Sequence, residues 1–125
     1  MIVPRILCVD DDPRINELNE IVLGRDGYHV QIALSPSEAL ARFTAERFDL
    51  VITDLFSNAS SDAGFIRKLR SLDPRVPVII VSGQPNPSPE ILKQADGFVQ
   101  KAYSLNALRD AVREVLMREK LRRIG

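Results

Sequence analysis

Three short apolar runs constrain this chain more than any other feature: Ile6-Leu7-Cys8-Val9, Leu50-Val51-Ile52 and Val78-Ile79-Ile80-Val81. None alternates with polar residues. Each must therefore be covered on both faces, which is the situation of a central strand in a parallel sheet with helices on either side. Segments 29–33 and 97–100 have strand composition as well, and with 5–9, 50–53 and 78–81 they make five expected strands. Asp12, Ser35 and Ser88 each stand directly before a proline, so an N-cap side chain precedes the residue type favoured at the first helical position. Gly24 and Gly27 are expected to close the first helix. Ile15, Leu18, Ile21 and Val22 predict its buried stripe, and Leu105, Leu108, Val112, Val115 and Leu116 predict that of the last helix. Strands alternating with helices, joined by right-handed crossovers, predict an α/β fold built on a doubly wound five-stranded parallel sheet. At 125 residues, 45% of them hydrophobic, residues 1–125 are expected to form one domain.

Charge and hydropathy narrow the partners. Seventeen basic and 17 acidic residues cancel, so no global field holds the chain to nucleic acid or to an anionic membrane. The N-terminus lacks a signal-peptide layout, and no apolar stretch approaches the ~18 residues of a membrane span. The expectation is a cytoplasmic protein with no direct nucleic acid binding and no membrane association. The lone Cys8 lies among apolar neighbours and reads as a small buried hydrophobe. The basic tail, with Arg118, Lys120, Arg122 and Arg123, suits the C-terminus of a helix.

In an open parallel sheet, functional groups gather at the carboxyl ends of the strands. Those ends carry Asp10 and Asp11 after the first strand, Asp54 after the third, Ser82 after the fourth and Lys101 after the fifth. Two like charges ~4 Å apart repel by about 4 kcal/mol at an effective dielectric of ~20, so Asp10, Asp11 and Asp54 together call for a cation. Hard carboxylate oxygens suit Mg2+, whose shell is commonly completed by water and a phosphate. With Lys101 as a second positive group, the site would stabilise a transferring phosphoryl group, and a central carboxylate would serve as nucleophile.

Four ordered motifs, Ile6-Leu7-Cys8-Val9-Asp10-Asp11-Asp12, Asp49-Leu50-Val51-Ile52-Thr53-Asp54-Leu55, Val78-Ile79-Ile80-Val81-Ser82-Gly83 and Gly97-Phe98-Val99-Gln100-Lys101, resemble the receiver domains of two-component response regulators. The resemblance spans essentially the whole chain. It implies the flavodoxin-like strand order 2-1-3-4-5 and a phosphorylation switch that is not an enzyme in the ordinary sense. Asp54 would be the phosphoacceptor, with Asp11 and Asp54 ligating Mg2+ directly, Asp10 acting through water and the backbone carbonyl of Phe56 completing the protein's share. Lys101 would pair with the phosphoryl oxygens and Ser82 would hydrogen-bond one of them, while Phe98 would sit at the aromatic switch position that follows Ser82. The implied partners are a histidine kinase or histidine phosphotransfer protein as donor, and an effector domain or protein as output.

The chain departs from the family pattern in three places. The stretch from Leu55 to Gly64 lacks the usual Met-Pro, and Phe56 is expected to shield an acyl phosphate. Lys101 is followed by Ala102 where proline is usual, and a cis bond before a non-proline residue costs roughly 3 kcal/mol, so a trans bond is expected. Pro85, Pro87 and Pro89 crowd the start of the fourth helix and leave a short helical piece ending near Ala95. The alternative reading is a degenerate receiver that binds partners without phosphoryl chemistry. An aspartyl-phosphate hydrolase lacks its second aspartate, since Phe56 stands there, and three aspartates after the first strand would repel a flavin phosphate. His29, the single histidine, belongs to the second strand, away from the crevice, which argues against a histidine phosphotransfer role.

Overall fold

In the computed structural model, residues 3–54, 59–83, 88–101 and 105–124 are described. Strands β1 (Arg5–Val9), β2 (His29–Ala33), β3 (Leu50–Asp54), β4 (Val78–Ser82) and β5 (Gly97–Gln100) alternate with helices α1 (Pro13–Arg25), α2 (Pro36–Ala45), α3 (Ala59–Leu72), α4 (Pro89–Gln94) and α5 (Leu105–Ile124). The strands pair in parallel in the order β2-β1-β3-β4-β5, as expected. Asp54 and Ser82 are the last residues of their strands, one position inside the ladder rather than beyond it.

The non-alternating runs are buried on both faces because their side chains alternate between two cores. Leu7, Val9, Val51, Val78 and Ile80 join Phe43, Ile66, Leu69 and Ile91 on one face. Ile6, Cys8, Leu50, Ile52, Ile79 and Val81 join Leu23, Leu108, Val112 and Val115 on the other. Burying one such side chain contributes about 2 kcal/mol, and the one buried polar residue before a central strand's last position, Thr53, has its hydroxyl hydrogen-bonded to the Asp54 carbonyl. Cys8 is buried as expected, and burial pushes its thiol up to about 12. At Gly97 a Cβ would stand 3.2 Å from Ile79 and 3.3 Å from Val115, so glycine lets α5 lie close over the sheet.

The three predicted caps form. Asp12 accepts from the Arg14 N–H, Ser35 from the Glu38 N–H and Ser88 from the Ile91 N–H, each with proline in the first helical turn. The short fourth helix ends at Gln94, with Ala95 as its cap. Gly24 lies inside the last turn of α1 and does not end it; Gly27, at φ +95°, makes the turn into β2.

The stripe predicted for α1 is wrong. Asn16, Asn19 and Leu23 face the sheet, Ile15 and Val22 are half-buried, and Leu18 and Ile21 are 41% and 45% exposed. Hydrophobicity alone misplaced the face, because the Asn16 amide N–H groups find main-chain carbonyls at the strand ends that satisfy them inside the core. In α5, Leu108, Val112 and Val115 are buried and Leu116 is half-buried as expected, but Leu105 is exposed and Glu119 is buried.

Candidate functional site

At the carboxyl end of the sheet β1, β3, β4 and β5 deliver their terminal groups to one crevice. Carboxylate oxygens of Asp10, Asp11 and Asp54 lie within 4.8 Å of one another. Asp10 is 3% exposed and Asp54 9%, while Asp11 is open to solvent. The Lys101 ammonium donates to Asp54 Oδ2 at 3.0 Å and stands 3.2 Å from Asp10 Oδ2. It is aimed there by its own backbone, since the Lys101 N–H donates to the Ser82 carbonyl at 2.6 Å. Ser82 is buried and stands opposite Gln100 in the β4–β5 register, so the ends of β4 and β5 lie side by side. Asp10 divides its two oxygens: Oδ1 accepts from the Asp12 N–H at 2.9 Å and holds the turn into α1, and Oδ2 faces Lys101.

The electrostatics are unbalanced. Burial raises the Asp54 carboxyl above its ordinary range, and the charges of Asp10 and Asp11 push the same way, against the hydrogen bond from Lys101. Burial opposes charge on Lys101, but its hydrogen bonds to Asp54 and Asp10 prevail and its pKa is raised. Two of the three carboxylates share the Lys101 ammonium, and Asp11 adds a third negative charge beside them. Such a set of hard oxygen donors, one of them reaching solvent, fits a divalent cation such as Mg2+, which takes a few carboxylates and keeps the rest of its shell for water and phosphate.

Asn16 belongs to this site although its sequence position did not mark it. Its amide donates to the carbonyls of Asp10 and Ala33, both at 2.9 Å, and Ala33 also accepts from the Asp10 N–H at 3.1 Å. The clamp fixes the end of β1 against β2, and with it the backbone carrying the paired aspartates. A signal was present: a polar residue in the first turns of α1, in helical phase with Leu23, is placed to reach the preceding strand end.

Of the remaining predicted residues, Phe98 is half-buried against the core that includes Ile80 and Ile91. Phe56, the Lys101–Ala102 peptide bond, and Pro85 and Pro87 lie outside the described residues. His29 is exposed at the start of β2, at the other end of the sheet.

Residues 6–113 match the response regulator receiver domain. This chain belongs to that family. Among curated relatives it is 29% identical over 120 residues to the response regulator MprA of Mycobacterium ulcerans, covering 94% of this chain and 52% of the relative. The receiver therefore spans about half the length of the curated relatives it matches. Among solved structures it superposes on a CheY-like receiver domain protein from Methanospirillum hungatei with a TM-score of 0.89, at 28% identity over 97% of this chain and 99% of that one. It also matches the response regulator TrrA from Thermotoga maritima, solved in complex with Mg2+ and BeF, with a TM-score of 0.80, 28% identity and coverage of 90% of this chain and 99% of that one.

Proposed function

We propose that this receiver takes a phosphoryl group onto Asp54 from a phosphohistidine of a histidine kinase or phosphotransfer protein, and passes the change on to an effector domain or protein. The observation that carries the reading is the position of the Asp54 carboxylate, between the Lys101 ammonium at 3.0 Å and the oxygens of Asp10 and Asp11. In the reaction an Asp54 oxygen attacks phosphorus, the bond to the donor nitrogen breaks, and an acyl phosphate forms while the donor imidazole takes up a proton. Lys101 then turns from Asp54 toward the phosphoryl oxygens, which carry the charge that the carboxylate loses. The buried Ser82 hydroxyl reaches the same oxygens from β4.

Asp10, Asp11, Asp54 and the main chain at Phe56 would hold Mg2+. When bound, the ion neutralises the crowded carboxylates and the phosphoryl oxygens alike. Ser82 and Phe98 would carry the switch, because they sit on neighbouring strands in which Phe98 stands opposite Ile80 and Ser82 opposite Gln100. A switch of this kind undergoes one phosphorylation per signal and is not a turnover enzyme. Residues 1–125 would act as one receiver unit in the cytoplasm, where its phosphodonors work; among the described residues no helix is long and apolar enough to cross a membrane.

The deciding experiment is intact-protein mass after incubation with acetyl phosphate and Mg2+, with Asp54→Asn in parallel. The expected result is a phosphoryl-sized gain in the native chain and none in the variant. No gain from acetyl phosphate or from phosphorylated kinases would replace this reading with that of a constitutive binding module.

A further inference from the structure

At the opposite end of the sheet from the acidic site, the starts of β1 and β3 floor a groove of about 540 Å³ between the α1–β2 turn and the second half of α5. Its walls are apolar: Val3 and Pro4 on the floor, Tyr28 on one side, Leu116 and Met117 on the other. Val3 and Met117 are exposed large hydrophobics, and Leu121 and Ile124 continue the Met117 stripe along α5. The rim is cationic, with Arg47, Lys120 and Arg123. Among the described residues none of these three takes part in an ion pair. The two carboxylates of the groove are already engaged: Asp49 accepts from the Arg5 N–H at 2.8 Å, and Glu119 lies 3.7 Å from Arg122. A chain of zero net charge thus keeps a net positive rim around an apolar concavity, where, among the described residues, three cations without an ion pair outnumber a single such carboxylate, that of Asp49.

We propose that this groove is a docking site for an acidic amphipathic segment of a partner protein, which seats an apolar side chain between Tyr28, Leu116 and Met117 and sets carboxylates against Arg47, Lys120 and Arg123. Charge complementarity selects this occupant. A second copy using the same groove would bring like cations face to face. A nucleic acid backbone would leave the apolar walls unused, and a membrane surface is flat where this site is concave. The groove requires nothing of Asp54, so it stands or falls separately from the phosphorylation reading.

The chain contains no tryptophan, so the emission of a tryptophan placed in a peptide reports its burial. The probes are short amidated peptides, each with one tryptophan flanked by glutamates a helical turn away on either side, together with a matched set carrying lysines. The glutamate set is expected to give a saturable blue shift that weakens with salt, and the lysine set none. Lys120→Glu combined with Arg123→Glu, both at exposed positions, is expected to weaken binding by about tenfold, as the loss of two surface charge pairs implies, with acetyl-phosphate labelling of Asp54 unchanged. The proposal is overturned if no glutamate peptide shifts, if both peptide sets bind equally, or if the double variant binds as the native chain does. It is overturned in favour of a lipid surface if the chain floats with phosphatidylglycerol vesicles but ignores the peptides. It is overturned in favour of self-association if the double variant only dissociates a dimer seen by sedimentation.

Discussion

Carboxylates stand at both ends of this sheet, and they serve different ends. At the amino end Asp49 accepts from the Arg5 N–H and Asp96 from the Val78 N–H, each at 2.8 Å, so each satisfies a main-chain donor where a strand begins. Asp96 also takes the Arg70 guanidinium at 2.8 Å, and Arg5 pairs with Glu46. Each charge there completes the hydrogen bonding of the fold. At the carboxyl end Asp10 and Asp54 are buried and share one ammonium, and Asp11 stands beside them with no ion pair among the described residues. Among the described residues Lys101 is the one cation that offsets that repulsion. The difference separates charges that build the fold from charges that await a cation and a phosphoryl group.

The strongest way to break this comparison is Lys101→Met. With phosphodonor and Mg2+ present, labelling of Asp54 is expected to fall by about a hundredfold, the scale of losing one charge-stabilising donor. In chelator the variant should also be less stable by about 2 kcal/mol, a figure already reduced because Lys101 is 29% exposed. Excess Mg2+ should restore most of that loss. A urea midpoint unmoved by both the substitution and Mg2+ would show that the carboxylates do not oppose folding.

Asn16→Leu sharpens the comparison from the structural side. Removing the amide leaves the Asp10 carbonyl without this donor and is expected to cost about 1–2 kcal/mol in urea denaturation. Calorimetric titration should show Mg2+ affinity lowered by about tenfold, as for other residues that hold metal ligands in place. Normal Mg2+ affinity in a destabilised variant would reduce Asn16 to a structural clamp.

At the amino end, Arg70→Met removes hydrogen bonds to the Gln94 carbonyl and to Asp96. A loss of about 1 kcal/mol is expected, equal with and without Mg2+. A Mg2+-dependent loss would mean that the two ends are coupled.

The smallest effect is expected at Asp26, which ties the end of α1 to α5 through two 2.8 Å bonds from Arg109. Those bonds hold the Asp26 carboxyl below its ordinary value of 3.8. A depressed carboxyl stabilises the fold above its unfolded pKa, and that contribution fades as pH falls through the folded one. Asp26→Asn should therefore be slightly less stable than the native chain at neutral pH, and the gap should close on acidification below the ordinary carboxylate range. A gap unchanged at low pH would assign the effect to packing.

By itself the sequence determined the strands, their depth and the chemistry at their ends. Ile6 to Val9, Leu50 to Ile52 and Val78 to Val81 can exist only inside a two-sided core, and the runs give way to Asp10, to Thr53 and Asp54, and to Ser82. Capping was equally local, since Asp12, Ser35 and Ser88 needed only the next few residues to act. The tertiary structure decided what depends on groups distant in the chain. Asn16 is buried because the Ala33 carbonyl, 17 positions away, accepts from it, and Leu18 and Ile21 turn outward as a result. The grip of Lys101 on Asp54 spans 47 positions. The amino-end groove exists only because α5 comes to lie over the starts of β1 and β3. A preference for burial is carried by each apolar residue wherever it lies in the chain, though the fold decides which of them, unlike Leu18 and Ile21, achieve it, whereas the burial of a polar group depends on a partner that only the folded chain supplies.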